Sequence, residues 1–330
     1  MKHWTLATGA ALALTAAATT PALAGSTGIT APAAVAHGAA PVPGAVHVAA
    51  PAAVAHKAAP VSGAVYFRYG GSGVEVLTHR GGWTRLTVGG GAFAGQFAVA
   101  PDGRKVAWID DRNRLHVKSA TGSVTDRVIA KNAAYGGPCL TPAWTADGKR
   151  IAYPVKGTGT ATTVMVVGAD GQGRFNAGKT PGPCHLTWSA DGRTLAGYAG
   201  DIDGVYLLDT KWRISNRNPG IKLANHVESL SPDSRRVVVN AIGRNAPGGD
   251  GSWPLSFTPS IYDTKSGAKV AIPVRGRLLG ARYLRDGRLA VRVKGATANT
   301  IVVLSRSGKE VQRVTEPARA KNLGLLWVIG

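Results

Sequence analysis

Two histidines and a carboxylate, His185, His226 and Glu228, have the residue types for metal or proton chemistry. Two imidazoles and a glutamate can ligate a divalent cation. No His-x-His or His-Glu-x-x-His spacing accompanies them, so hydrogen bonding within a core is the expected role. Asp201-Ile-Asp203-Gly204 resembles the opening of a calcium loop. It lacks the further acidic ligand such a loop needs, and a plain turn is expected. His37, His47 and His56 are dispersed on an Ala/Pro-rich stretch, too loosely held to form a metal site. The chain has no Gly-x-Ser-x-Gly elbow. No cofactor is expected, and a non-catalytic role leads.

Cys139 and Cys184 sit in Gly-Gly-Pro-Cys and Pro-Gly-Pro-Cys, eight and seven residues before Asp147 and Asp191. Equivalent positions in successive repeats of a secreted chain predict a disulfide, with buried thiols or a nucleophile as the alternatives. Closing that loop would contribute about 4 kcal/mol in the chain-entropy account.

The chain carries 39 Lys and Arg against 18 Asp and Glu, a formal net charge of +21. Twelve of these cations fall between Arg275 and Lys321, against Asp286, Glu310 and Glu316. Such a field attracts acidic proteins or anionic cell-wall polymer. Nucleic acid is not expected, because no nucleic-acid module is present. Candidate binding residues are Arg282, Arg285 and Arg288 around the last Asp-Gly, with Arg244 and Trp253 in a long Gly/Pro-rich insertion, Gly243–Pro259. Arg292 alternates with Val291 and Val293, so its stem is expected to pack with the guanidinium exposed. Trp253 is read either as a binding residue or as a lid on its own repeat.

The elements that must position these residues come from a repeat. Ala-Pro-Asp-Gly-Arg-Lys-Val-Ala-Trp (Ala100–Trp108) returns as Thr-Ala-Asp-Gly-Lys-Arg-Ile-Ala-Tyr (Thr145–Tyr153), and variants follow at Ser189, Ser231 and Leu284. The turn residues Asp102, Asp147, Asp191, Asp233 and Asp286 are spaced 45, 44, 42 and 53 apart. Asp-Gly between apolar runs is a hairpin signal, and a period near 40–45 with this content marks a β-propeller. The insertion stretches the fourth spacing. A second set of hairpins, from Val74–Gly82 to Val302–Gly308, numbers six against the five Asp-Gly turns. The first repeat therefore lacks an inner strand. Leu323–Gly330, with Trp327 matching Trp144 and Trp188, is expected to supply it and close the ring.

These repeats resemble the TolB-like family of secreted propellers, whose repeat core reads Ser-Pro-Asp-Gly. The resemblance covers roughly Ala64 to Gly330, and Asp233-Ser234 departs from it by losing the Gly. It implies a non-catalytic protein-interaction role in the cell envelope. The expected fold is all-β: a six-bladed propeller of four-stranded blades.

Residues 1–24 read as a secretory signal, with Lys2, an apolar Leu6–Ala18 and Ala22-Leu23-Ala24. Residues 25–63 read as an Ala/Pro-rich disordered linker in which Ala31–Val46 recurs as Ala50–Val65. Residues 64–330 form the propeller. The expectation is a secreted monomer, without a membrane span after signal cleavage, that binds an unknown protein or an anionic cell-wall polymer. A polysaccharide lyase-like propeller enzyme is the third reading.

Overall fold

The structure, a computed structural model, describes residues 58–330 except 72, 90–94, 121–125, 158–160, 201–203, 212–213, 218, 244 and 246–250. The segment expected to be a secretory signal, the expected linker up to residue 57, Arg244 and Asp201–Asp203 lie outside the described residues.

Among the described residues, twenty-four strands form six four-stranded antiparallel sheets. The first blade holds β1 (Gly63–Gly70), β2 (Gly73–His79) and β3 (Trp83–Gly89). The second is β4 (Phe97–Val99), β5 (Lys105–Ile109), β6 (Arg114–Ser119) and β7 (Asp126–Lys131). The third is β8 (Ala143–Trp144), β9 (Arg150–Pro154), β10 (Thr162–Gly168) and β11 (Phe175–Thr180). The fourth is β12 (Cys184–Trp188), β13 (Thr194–Tyr198), β14 (Val205–Asp209) and β15 (Ile214–Arg217). The fifth is β16 (Ala224–Leu230), β17 (Arg236–Ala241), β18 (Pro259–Asp263) and β19 (Lys269–Val270). The sixth is β20 (Leu278–Tyr283), β21 (Leu289–Val293), β22 (Thr300–Leu304) and β23 (Glu310–Thr315). The last strand, β24 (Gly324–Ile329), returns to the first blade and pairs with β1, from Gly63↔Ile329 to Phe67↔Gly324. The expected closure is present.

Each blade is apolar on both faces because it packs between two others. The apolar clusters accordingly sit between blades. One joins Val65 and Phe67 to Phe97 and Val106, and another joins Ile301 and Val303 to Tyr66 and Val328 across the closing seam. Gly324 is required at that seam, since a Cβ there would lie 2.0 Å from the Phe67 ring.

The repeated Asp does one job in every turn. Its Oδ1 accepts the backbone N–H two residues on, from Arg104, Lys149, Arg193, Arg235 and Arg288, at 3.0–3.1 Å. In three copies Thr145, Ser189 and Ser231 also donate a hydroxyl to that Asp at 2.6 Å. The next residue is left-handed in all five turns: Gly103, Gly148, Gly192 and Gly287 in four, Ser234 (φ 58°) in the fifth. An L-residue pays about 1–2 kcal/mol for that conformation, partly offset by the larger unfolded-state entropy of Gly. Ser234→Gly should therefore raise the melting temperature by roughly 1–3 °C. An unchanged or lower value in a thermal melt would show that the Ser234 backbone carries no strain.

These turns define one face of the ring, here called the turn face. The inter-blade connections define the other. Cys139 and Cys184 form a disulfide at the connection face, joining the approach to β8 with the start of β12. His185 N–H also donates to the Cys139 carbonyl at 2.8 Å. No helix among the described residues is long and apolar enough to cross a membrane.

Candidate functional site

The inner strands β24, β4, β8, β12, β16 and β20 surround the axis of the ring, and their side chains decide what the axis can hold. At the connection-face end the axis is filled by Trp253. The insertion from the fifth blade carries this ring across to the second, where the indole N–H donates to the Phe97 carbonyl at 2.9 Å. Tyr69 Oη donates to the Trp253 carbonyl at 2.9 Å. Gly95 permits the crossing, since a Cβ there would meet Ser252 Oγ at 2.6 Å. Trp253 is buried and is not a lid on its own blade. It closes the axis.

Beneath Trp253 runs a chain of buried polar groups. Trp253 stacks on His185, with ring centroids 4.4 Å apart and planes 6° from parallel. His185 Nδ1 meets His226 Nδ1 at 2.5 Å, and His226 Nε2 meets Glu228 Oε2 at 2.7 Å. Arg282 donates twice to Glu228 Oε1, at 3.0 and 2.6 Å. Its guanidinium lies 4.1 Å from the Trp327 ring centroid. The three residues singled out for chemistry thus meet, as the core hydrogen bonding expected of them. Among the described residues no group of three or more His, Cys, Asp or Glu is arranged to hold a metal ion.

Burial pushes the His185 pKa well below 6.5, and the neighbouring His226 adds to this. Burial alone would raise the Glu228 pKa, but Arg282 and His226 hold it below the usual range. His185 is neutral when folded, so the unfolded chain takes up its proton first. Its contribution to stability is present above about pH 6.5 and is lost as pH falls below that. Thermal melts should show a falling midpoint from pH 6.5 towards 5. His185→Asn suits the left-handed backbone (φ 46°) and should flatten that slope. An equal slope in the variant would place the pH dependence elsewhere.

At the turn-face end the axis opens into a funnel of about 680 Å³. Trp144, Trp188 and Trp327 line it, with Arg282 and Thr187 below and Arg80, Arg285 and Arg288 towards the rim. The three indole N–H groups are already used, by the carbonyls of Ala98, Ala143 and Val99. Trp144 and Trp188 reach back to the preceding blade, whereas Trp327 reaches forward. The walls therefore offer ring surface and no indole donors.

The candidate cations do not form one patch. Arg282 is buried in the axial chain. Arg292 is 1% exposed, and its guanidinium, expected at the surface, is instead bound to Glu316 and to the carbonyls of Leu323 and Ala320. Arg288 pairs with Asp286 at 2.7 Å and donates to the Ala59 carbonyl. Arg285 is exposed, with no ion pair among the described residues. Arg275 and Arg277 lie in an inter-blade connection, away from the turn face. Strand alternation and hairpin reversal scatter a cluster that is continuous in sequence.

No protein-family model and no curated protein matches the chain. Solved propeller structures do. The chain is similar to TolB. For TolB from Acinetobacter baumannii the identity is 12%, over 81% of this chain and 64% of that one, with a TM-score of 0.46. A prolyl endopeptidase matches at 18% identity over 79% of this chain and 42% of its own, TM-score 0.41. The β-propeller domain of the Trilobed protease from Pyrococcus furiosus matches at 12% over 77% and 81%, TM-score 0.44. The chain thus spans under two thirds of the first two. Its propeller architecture stands on its own six sheets.

Proposed function

We propose that this chain is a non-catalytic binding protein that works outside the cytoplasm and receives part of a macromolecular partner in its turn-face funnel. The carrying observation is the asymmetry of the axis: Trp253 occupies one end, and the other opens as a funnel walled by Trp144, Trp188 and Trp327. Concave, largely apolar sites with few polar groups are where ligands are held. The reading of residues 1–24 as a secretory signal and the Cys139–Cys184 disulfide support the location.

A lyase-like enzyme is less favoured. His185, His226 and Glu228 are buried under Trp253, out of a substrate's reach, with His226 hydrogen-bonded to both of the others. An anionic-polymer site on the last blade is also less favoured, because its cations are dispersed, and Arg282 and Arg292 are buried in ion pairs.

A photocrosslinking residue at position 285 tests the proposal in the cell that makes the protein, with position 275 at the other end of the blade as control. A discrete adduct from 285 and none from 275 is the expected result. Adducts from 275 alone would overturn the funnel as the binding face.

A further inference from the structure

A second cavity opens on the turn face beside the funnel, between the fifth and sixth blades, and holds about 370 Å³. Its origin is local. The outer strand β19 has two residues, whereas the other outer strands have four to seven. Pro273, which has no N–H for a ladder, follows close after it. The shortened edge leaves Ile261, Leu289 and Leu304 as an aliphatic floor. Tyr283 lines both this groove and the funnel, so the two adjoin.

The groove's charged groups are unequal in availability. Asp233 is held by the Ser231 hydroxyl and the Arg235 N–H, and Asp263 by two backbone N–H groups and the Ser266 hydroxyl. The exposed Arg235 has no contact ion pair among the described residues, though its charge helps hold the Asp233 and Asp263 carboxyls below their usual range. Arg306 spends its Nε on the Asp286 carbonyl and keeps its terminal nitrogens. Arg236 lies beside the Tyr283 hydroxyl. With Arg80 and Arg285 at the funnel rim, the free cations around both cavities are all arginine. Arginine is the side chain suited to planar recognition of carboxylates.

We infer that the partner presents an acidic peptide segment that spans both cavities, with one apolar side chain in the funnel, another in the groove, and carboxylates on Arg235, Arg285 and Arg306. This rests on the funnel being the binding face. Two separate apolar floors edged by more arginines than aspartates fit a chain that alternates apolar and acidic side chains. A polyanionic glycan would leave those floors unfilled, and its hydroxyls would find no donors on the indole walls.

The test is fluorescence anisotropy on the full chain. The probe is a labelled peptide of alternating Glu and Leu, about twelve residues and roughly 40 Å when extended. Oligo-Glu of equal charge and polygalacturonate are the comparisons. The Glu-Leu peptide should bind about tenfold tighter than either. Arg235→Glu with Arg306→Glu should weaken it about tenfold or more. Arg193→Glu, at an exposed turn outside both cavities, should change it less than about twofold. Arg235→Gln with Arg306→Gln repeats the test without charge reversal. Equal binding of oligo-Glu or polygalacturonate would overturn the inference. So would equal weakening by Arg193→Glu, or no effect of either groove pair. An adduct at position 285 alongside such a result would leave the funnel standing and remove the peptide assignment alone.

Discussion

Deleting Leu323–Gly330 should abolish cooperative folding rather than merely lower the melting temperature. The segment supplies β24, the inner strand of the first blade, and its removal strips β1 of the partner that it pairs with along Gly63–Phe67. Leu323, Leu326, Val328 and Ile329 are all buried. At about 1.5–3 kcal/mol each, their burial amounts to roughly 6–12 kcal/mol as an upper estimate. A whole domain is stable by about 5–15 kcal/mol. The loss is comparable to the total, and the exposed β1 edge would invite aggregation. Circular dichroism and a thermal melt of the truncated protein decide it. A sharp transition within a few degrees of the full chain would mean that the ring does not depend on this closure.

The second large effect is expected at Arg292. Its three nitrogens bind Glu316 Oε2 at 2.8 Å and the carbonyls of Leu323 and Ala320 at 2.7 and 2.8 Å. That ties the sixth blade to the turn that delivers β24. Burial, and then the adjacent Glu316, push the Tyr66 hydroxyl pKa up, so Tyr66 stays protonated beside the pair. Arg292→Ala leaves the Glu316 carboxylate buried without its cation, at a cost of roughly 3–5 kcal/mol. The melting temperature should fall by roughly 6–20 °C. Arg292→Met with Glu316→Leu should recover much of that, because an apolar pair removes the stranded charge. A double variant as unstable as Arg292→Ala would assign the cost to the lost carbonyl contacts instead.

The Asp-Gly turns, the six outer hairpins, the closing strand and the Cys139–Cys184 pair were legible in the sequence. Each is a local backbone event or a position counted from one. Asp102 and its four equivalents bind an N–H two residues away, and the next residue is left-handed whatever the remainder of the fold does. Once those turns set a period, the missing inner strand and the equivalence of the cysteines followed from counting.

The destinations of side chains were decided by tertiary structure. Trp253 reaches Phe97, 156 residues away in sequence, and nothing local to the insertion names that carbonyl. Arg282 and Arg285 are three positions apart, yet one is buried against Glu228 and the other stands free at the funnel rim. Strand alternation allows the two to differ, but which side is filled depends on the blade that packs there. His185, His226 and Glu228 have the residue types of a metal site, and only ring closure shows them hydrogen-bonded to one another beneath an indole. The physical reason is that turn conformation is set by bonds a few residues long. The axis of a propeller is built from six strands that meet only after the whole chain has closed.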